Sequence, residues 1–252
     1  MTTVIYSEQD FAACDSKWAC EGSDLTLDDH CINKYAYFKG NKGTYIAFFA
    51  GDEYPIVVNQ AKYQGILNDN DYLRESTKLA DLNQTFELLI VNETDGSFVT
   101  TNATSSWFYN IRYLGSGGEH AAQFFHYSKK ARYHSIHKNN VVGALQYAYY
   151  KDPKYSGHPH NLRSWNPKYP IDDTVNNDHH MYRDILNSRL RELTMTFNGG
   201  HSVVDLSAVA KHAQKQKAQW RPLPPLKTSP KDTAPKVTVS SAISMLELLK
   251  TL

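Results

Sequence analysis

Thr2 stands directly behind Met1 and carries a β-hydroxyl. Its side chain is small, so cytosolic removal of Met1 is expected, and that would give the same residue a free α-amine. An α-amine has an ordinary pKa of about 7.7–8.0, so near neutral pH it can take the proton of a hydroxyl beside it. The pair is the threonine form of an activated nucleophile, suited to acyl transfer. It requires a cation to bias it, an oxyanion hole, and groups that orient the amine. Residue types able to serve recur along the chain: Asp15-Ser16-Lys17, Lys34 within Ile32-Asn33-Lys34-Tyr35, the run Phe48-Phe49-Ala50-Gly51, Gly115-Ser116-Gly117, and Asp152-Pro153-Lys154-Tyr155-Ser156-Gly157.

Other reactive side chains point elsewhere. Cys14, Cys20 and Cys31, with His30, make four side chains able to bind zinc. Their spacing, C-x5-C-x9-H-C, lacks the short pairs of common zinc sites, so no metal is expected there. Cys14 lies in an apolar run and reads as a small core residue. An odd cysteine count with no secretory leader fits reduced thiols in a cytoplasmic protein. His158, His160, His179 and His180 accompany Asp172, Asp173, Asp178 and Asp184, and read as solvated loop residues rather than ligands. No cofactor is expected.

Composition bounds the rest. The chain has 252 residues, 41% hydrophobic and 21% charged, which suffices for a sizeable core. Its formal net charge of +1 gives no global attraction to nucleic acid or membrane. No stretch approaches the ~18–20 apolar residues of a membrane-spanning helix. Residues 211–236 carry seven Lys or Arg against Asp232, about +6 locally, with five prolines between Pro222 and Pro235. This reads as a solvated or protein-docking linker, and nucleic acid is not the expected partner.

These residues need elements to hold them. Val4-Ile5-Tyr6 and Phe11-Ala12-Ala13-Cys14 predict a hairpin around Ser7-Glu8-Gln9-Asp10. Strands follow at Cys31–Phe38, carrying Lys34, and at Tyr45–Ala50, and a helix at Ile56–Leu67. Phe86–Val91 and Ser97–Thr101 predict a second hairpin around Thr94-Asp95-Gly96. Trp107–Leu114 reads as one strand entering the glycine loop. Helices are predicted over Glu119–Arg132 and Asn140–Tyr150. His158 to Asp178 reads as irregular, His180–Leu193 as a helix, Leu193–Phe197 as a short strand, and Leu206–Trp220 as a polar helix. Val237–Leu252 predicts a short helix capped by Ser240 or Ser241. Its stripe of Ile243, Leu246, Leu248 and Leu249 is expected to dock on a neighbouring subunit or second protein, or else to fold back on its own domain. The order of hairpins and helices is that of an α+β layered domain.

Taken in order, the five short segments behind Thr2 resemble those of the proteasome β-type family of N-terminal nucleophile (Ntn) hydrolases, and most closely the HslV-type peptidase. The resemblance covers about residues 1–157. It implies a four-layer αββα sandwich of two antiparallel sheets flanked by helices, with a C-terminal extension. It divides the chain into 1–205, with 158–190 an irregular insertion, and 206–252, a basic helix, proline-rich linker and docking segment. It makes Thr2 the nucleophile of a threonine-type endopeptidase, Lys34 the cation that lowers its pKa, and Asp15 the partner that fixes Lys34. Gly51 would supply the oxyanion-hole N–H, and Phe49 and Ala50 would bind substrate. Ser116, Asp152 and Ser156 would orient the amine. Implied partners are polypeptide substrates, a ring-forming homo-oligomer and an ATP-dependent unfoldase. Two rivals stand beside this reading: a non-catalytic scaffold protein of the same fold, and an Ntn amidohydrolase acting on a small amide. The sequence also departs from the family. Asp152 and Ser156 are one residue further apart than expected, with Pro153 inserted. Asp52 follows Gly51 where a small residue is usual, which suggests an acidic pocket entrance. The first hairpin is shorter, and the last strands of the fold are expected within Leu193 to Val204.

Overall fold

The computed structural model describes residues 3–20, 26–27, 30–103, 107–130, 137–157, 160–168, 170–174, 179–198, 226–227 and 234–252. The first hairpin forms as expected. β1 (Val4–Ser7) and β2 (Phe11–Asp15) pair antiparallel with Val4 opposite Cys14. All nine residues of the two strands are buried, which is why each reads as an apolar run rather than an alternation. β3 (Trp18–Cys20) and β4 (Thr26–Leu27) follow. β5 (Tyr35–Lys39) and β6 (Thr44–Gly51) form a second hairpin. The predicted strand begins later than expected: Lys34 lies in a bend just before β5, although its carbonyl still accepts from the Phe49 N–H at 2.8 Å.

α1 (Glu53–Tyr63) leaves the end of β6, and α2 (Asp69–Asp81) follows it. The sequence predicts no separate helix at α2. Asn68 caps it, accepting from the Asp71 N–H at 2.9 Å, but its buried face is Tyr72, Glu75, Ser76 and Leu79, too polar to register as a stripe. β7 (Phe86–Asn92) and β8 (Phe98–Thr101) complete a four-stranded antiparallel sheet in the order β5-β6-β7-β8.

Trp107 to Leu114 is two strands, not one. β9 (Trp107–Phe108) and β10 (Ile111–Leu114) pair around a two-residue turn in which Tyr109 has φ of 57°. α3 (Ser116–Lys130) starts inside the glycine loop, and α4 (His137–Lys151) packs beside it. The stretch read as irregular supplies β11 (His160–Ser164), which pairs with β2, and β12 (Ile171–Asp172). The second sheet therefore runs β12-β11-β2-β1-β10-β9. Its last strands come from here and not from Leu193 onward, because Leu193 to Phe197 is the end of α5 (His179–Asn198).

Alternation along the strands sorts the apolar residues. Val4, Tyr6, Ala12 and Cys14 of one sheet share a cluster with Ile46, Phe48, Ala50, Leu89 and Val91 of the other. Their neighbours Ile5, Phe11 and Ala13 instead pack with Ala121, Phe125, Val141 and Leu145 of α3 and α4. Ala47, Phe49, Leu88 and Ile90 pack with residues of α1, α2 and α5. The fold is α+β with antiparallel sheets. Among the described residues, no helix is long and apolar enough to cross a membrane.

The C-terminal region departs from expectation. The predicted helix 206–220 lies outside the described residues. Within the proline-rich stretch, β13 (Leu226–Lys227) pairs with β3. The Pro235 carbonyl accepts from the Phe86 N–H at 3.1 Å, so the stretch is tied down at its end. α6 (Val239–Thr251) is capped by Thr238, not by Ser240 or Ser241; Ser241 is the reciprocal partner of a capping box. The helix docks on its own chain. Ala242 and Leu246 join the cluster of α1 and α2, Tyr63 Oη meets Met245 Sδ at 3.6 Å, and Ile243 faces outward, 45% exposed. Fourteen residues, 239–252, suffice here because the receiving surface lies on the same chain.

Candidate active site

Thr2 lies outside the described residues, and the site is built around its neighbour. Thr3 precedes β1 and is wholly buried. Its N–H donates to Asp15 Oδ1 at 3.0 Å, and the Asp15 N–H donates back to the Thr3 carbonyl at 3.1 Å. The β1–β2 hairpin thus closes with a side-chain bond at its open end. The same Oδ1 accepts from Lys34 Nζ at 3.0 Å, and Lys34 also donates to the Lys17 carbonyl. Both charged side chains are about 1% exposed. Asp15 and Lys34 thus form a buried pair. Asp15 Oδ2 is buried with no partner among the described residues.

Burial acts against both charges. It pushes the Asp15 carboxyl up, opposed by Lys34 and the Thr3 N–H. It pushes the Lys34 ammonium down, opposed by Asp15. A lysine held low gives up its proton more readily than a surface one. Trp18 walls this space, with Lys34 Nζ 5.5 Å from its ring centre.

The loops from the far side of the sheet meet the same point. Thr3 Oγ1 and Ser156 Oγ lie 2.8 Å apart, and Ser116 Oγ donates to Asp152 Oδ2, also at 2.8 Å. Gly117 lies between these pairs. A Cβ there would fall 2.2 Å from both Ser156 Oγ and Thr3 Oγ1, so only glycine fits. The residue inserted between Asp152 and Ser156 does not prevent this convergence. The Pro153 carbonyl accepts from the buried Lys17 Nζ at 2.6 Å, which holds the longer loop in place.

Gly51 closes β6 opposite Phe86 with φ of 122°, and a Cβ there would come within 2.5 Å of Phe86 Cα. The backbone can make this turn only without a side chain. Phe49 and Ala50 have no exposed surface, so neither offers a face to substrate as expected; they pack on opposite sides of β6 and carry Gly51. Asp52 does not make the entrance acidic either. It turns inward, 2% exposed, and Oδ2 accepts from the Thr85 N–H at 2.7 Å. Cys14 belongs to the cluster between the sheets, and His30 is bonded to Glu53 at 2.7 Å. Among the described residues no group of three His, Cys, Asp or Glu is placed to hold a metal.

The structure thus brings together Asp15, Lys34, Ser156 and the Ser116–Asp152 pair. Sequence reasoning missed Thr3 and Lys17. Thr3 was legible as the neighbour of Thr2, whereas Lys17 acts through a backbone carbonyl that no motif marks.

No protein-family model matches the chain, and no curated protein does. Among solved structures it is similar to eukaryotic HslV from Trypanosoma brucei, at 15% identity over 64% of this chain and 98% of that one, with a TM-score of 0.40. It is similar to BPH from Thiobacillus denitrificans in complex with epoxomicin, at 13% identity over 66% of this chain and 100% of that one, with a TM-score of 0.41. It is also similar to Anbu from Hyphomicrobium sp. strain MC1, at 10% identity over 88% of this chain and 100% of that one, with a TM-score of 0.42. HslV is the variant that the sequence motifs resemble. At these identities and TM-scores the chemistry rests on the site's own geometry.

Proposed function

We propose that the chain is a proteasome-type N-terminal nucleophile hydrolase, a four-layer αββα sandwich that cleaves peptide bonds with Thr2. The observation that carries this reading is the buried Asp15–Lys34 pair bonded to Thr3, the residue that follows Thr2. Cleavage of the Met1–Thr2 bond makes the amine. That amine takes the Thr2 hydroxyl proton as the oxygen attacks the scissile carbonyl, with Lys34 biasing the equilibrium toward the alkoxide. The Gly51 N–H stabilises the oxyanion; loss of such a donor typically costs ~10²–10³ in rate. The amine returns its proton to the leaving group, and water then releases the acyl-enzyme. Ser116, Asp152 and Ser156 hold the amine in place. Polypeptide substrates, a cytoplasmic homo-oligomeric ring and an ATP-dependent unfoldase belong to the same proposal.

The test uses the full chain. Mass spectrometry reads the N-terminus, and an epoxyketone probe, which needs both hydroxyl and amine, reads the nucleophile. We expect labelling on Thr2, and no labelling or peptide hydrolysis in Thr2→Ala with the fold intact. Undiminished turnover by Thr2→Ala sinks the mechanism. A retained Met1 with no labelling favours the non-catalytic scaffold, and turnover of small amides alone favours the amidohydrolase.

A further inference from the structure

Glu87 interrupts the apolar run Phe86–Val91, and it lies opposite Ala50, one pair before Gly51–Phe86. Leu89 and Val91, on the same face of β7, belong to the cluster between the sheets, so strand alternation aims the Glu87 carboxyl into that space. It is 5% exposed, and Oε2 accepts from the Gly115 N–H at 2.5 Å. Gly115 follows Leu114, which pairs with Val4; the register therefore sets Gly115 opposite Thr3. The next two residues are Ser116, bonded to Asp152, and Gly117, packed on Thr3 and Ser156. A single side chain thus ties the strand pair that ends at Gly51, in one sheet, to the loop that delivers Ser116, beside the other. An aliphatic residue would fill this space without burying an acid, so packing gives no reason for a carboxyl here.

We propose that Glu87 is a positioning residue of this site, whose carboxylate holds the Gly115–Gly117 loop in register with Thr3. This rests on the peptidase reading above. Burial pushes the Glu87 carboxyl up to about 7, and the Gly115 N–H pulls against it. The ionised form is the stronger acceptor, so the loop is held more firmly above that pH than below it. Other titratable groups surround it. Tyr113 on β10 is pushed up by burial, then by Glu119 of α3 and by Glu87 itself. Asp52, at the end of β6, is bonded to Thr85, and Asp15 and Lys34 are bonded to each other.

The test is made on the full chain in two measurements. In protein labelled with ¹⁵N-glycine, the Gly115 amide signal is followed against pH. It should titrate with a midpoint near 7 in the wild type and lose that titration in Glu87→Gln. In peptide hydrolysis, Glu87→Leu should lower kcat at pH 8 about tenfold, the scale of one lost hydrogen bond, with little change in KM. Glu87→Gln, which keeps an acceptor, should restore most of kcat and flatten the pH profile around 7. A Gly115 amide that does not titrate, or titrates equally in Glu87→Gln, overturns the contact. Unchanged kcat and pH profile in Glu87→Leu overturn the positioning role. A wild type that titrates at Gly115 yet hydrolyses no peptide and takes no epoxyketone overturns the peptidase reading while upholding the Glu87 contact.

Discussion

Glu53 and Glu87 are both buried, 0% and 5% exposed, yet their carboxyls are driven in opposite directions. Glu53 opens α1. Burial pushes it up, but Arg189, bonded at 2.8 Å through both Nε and Nη2, and His30, at 2.7 Å, overcome this and hold it at about 2. Glu87 has only the Gly115 N–H against burial and rises to about 7. Glu53 sits where helix α5 packs on α1, and its charge is fully answered. Two acids at the candidate site are answered in part: Glu87 by a neutral donor, Asp15 through only one of its two oxygens among the described residues. Full compensation marks charge used as structure. Partial compensation leaves Glu87 with a charge that changes near neutral pH.

The largest effect should come from breaking the partly answered pair. Lys34→Ala strands Asp15 and should cost about 3–5 kcal/mol of stability, with peptide hydrolysis falling to background. Urea denaturation and a fluorogenic peptide assay read the two losses together. Stability loss with full activity would remove Lys34 from the chemistry.

Breaking the fully answered cluster should cost a similar amount of stability. Arg189→Ala leaves Glu53 without its main partner, and a loss of about 3–5 kcal/mol should appear in the denaturation midpoint. Replacing Glu53 and Arg189 together by apolar residues should recover part of it, since a double-mutant cycle removes the stranded charge.

The pH dependence of stability sharpens the contrast. Glu87 is raised from 4.5 to about 7, so its contribution is present below pH 4.5 and lost as pH rises through 7. Glu87→Gln should therefore be more stable than wild type at pH 8, by at most about 3 kcal/mol, and equal to it near pH 4. His30 is pushed down by burial, but Cys31 and Glu53 outweigh this and raise it to about 9. Its contribution is present below pH 6.5 and fades as pH rises through 9, so His30→Asn should flatten the alkaline limb of the same profile. A Glu87→Gln curve parallel to wild type from pH 4 to 8 would show that the carboxyl keeps an ordinary pKa.

The smallest effect lies away from both acids. Thr238→Ala removes one half of the α6 capping box and should cost about 1 kcal/mol in thermal unfolding, with kcat unchanged.

Legibility in the sequence followed the same division. β1, β2, β6 and β7 are apolar runs between turn residues, and α3 and α4 carry stripes, so all six elements could be read. β11 is His-Asn-Leu-Arg-Ser, in which Leu162 alone belongs to the core; its ladder with β2 makes it a strand, and no local signal shows a partner about 150 residues away. Leu193 to Phe197, expected as a short strand, ends α5, where Leu193 shares a cluster with Leu186 and Leu190 of the same helix. At the site, Asp15, Lys34, Ser116, Asp152 and Ser156 were found through family resemblance; their spacing alone would not have joined them. Glu87 was hidden because its partner is a backbone N–H 28 positions away.

α6 covers a surface that the chain lays down much earlier. The Lys42 N–H and Tyr45 hydroxyl bond the Leu252 carbonyl, and Leu246 packs with Tyr72 and Leu79. The 146 residues 93–238 separate the end of β7 from the start of α6. At about 5–20 residues per second, translation leaves that apolar face uncovered for about 7–30 s. During that interval the face is not covered by its own α6. On a polysome, where nascent copies are crowded together, the arrangement favours exchange of α6 between chains, with the swapped pair persisting after release.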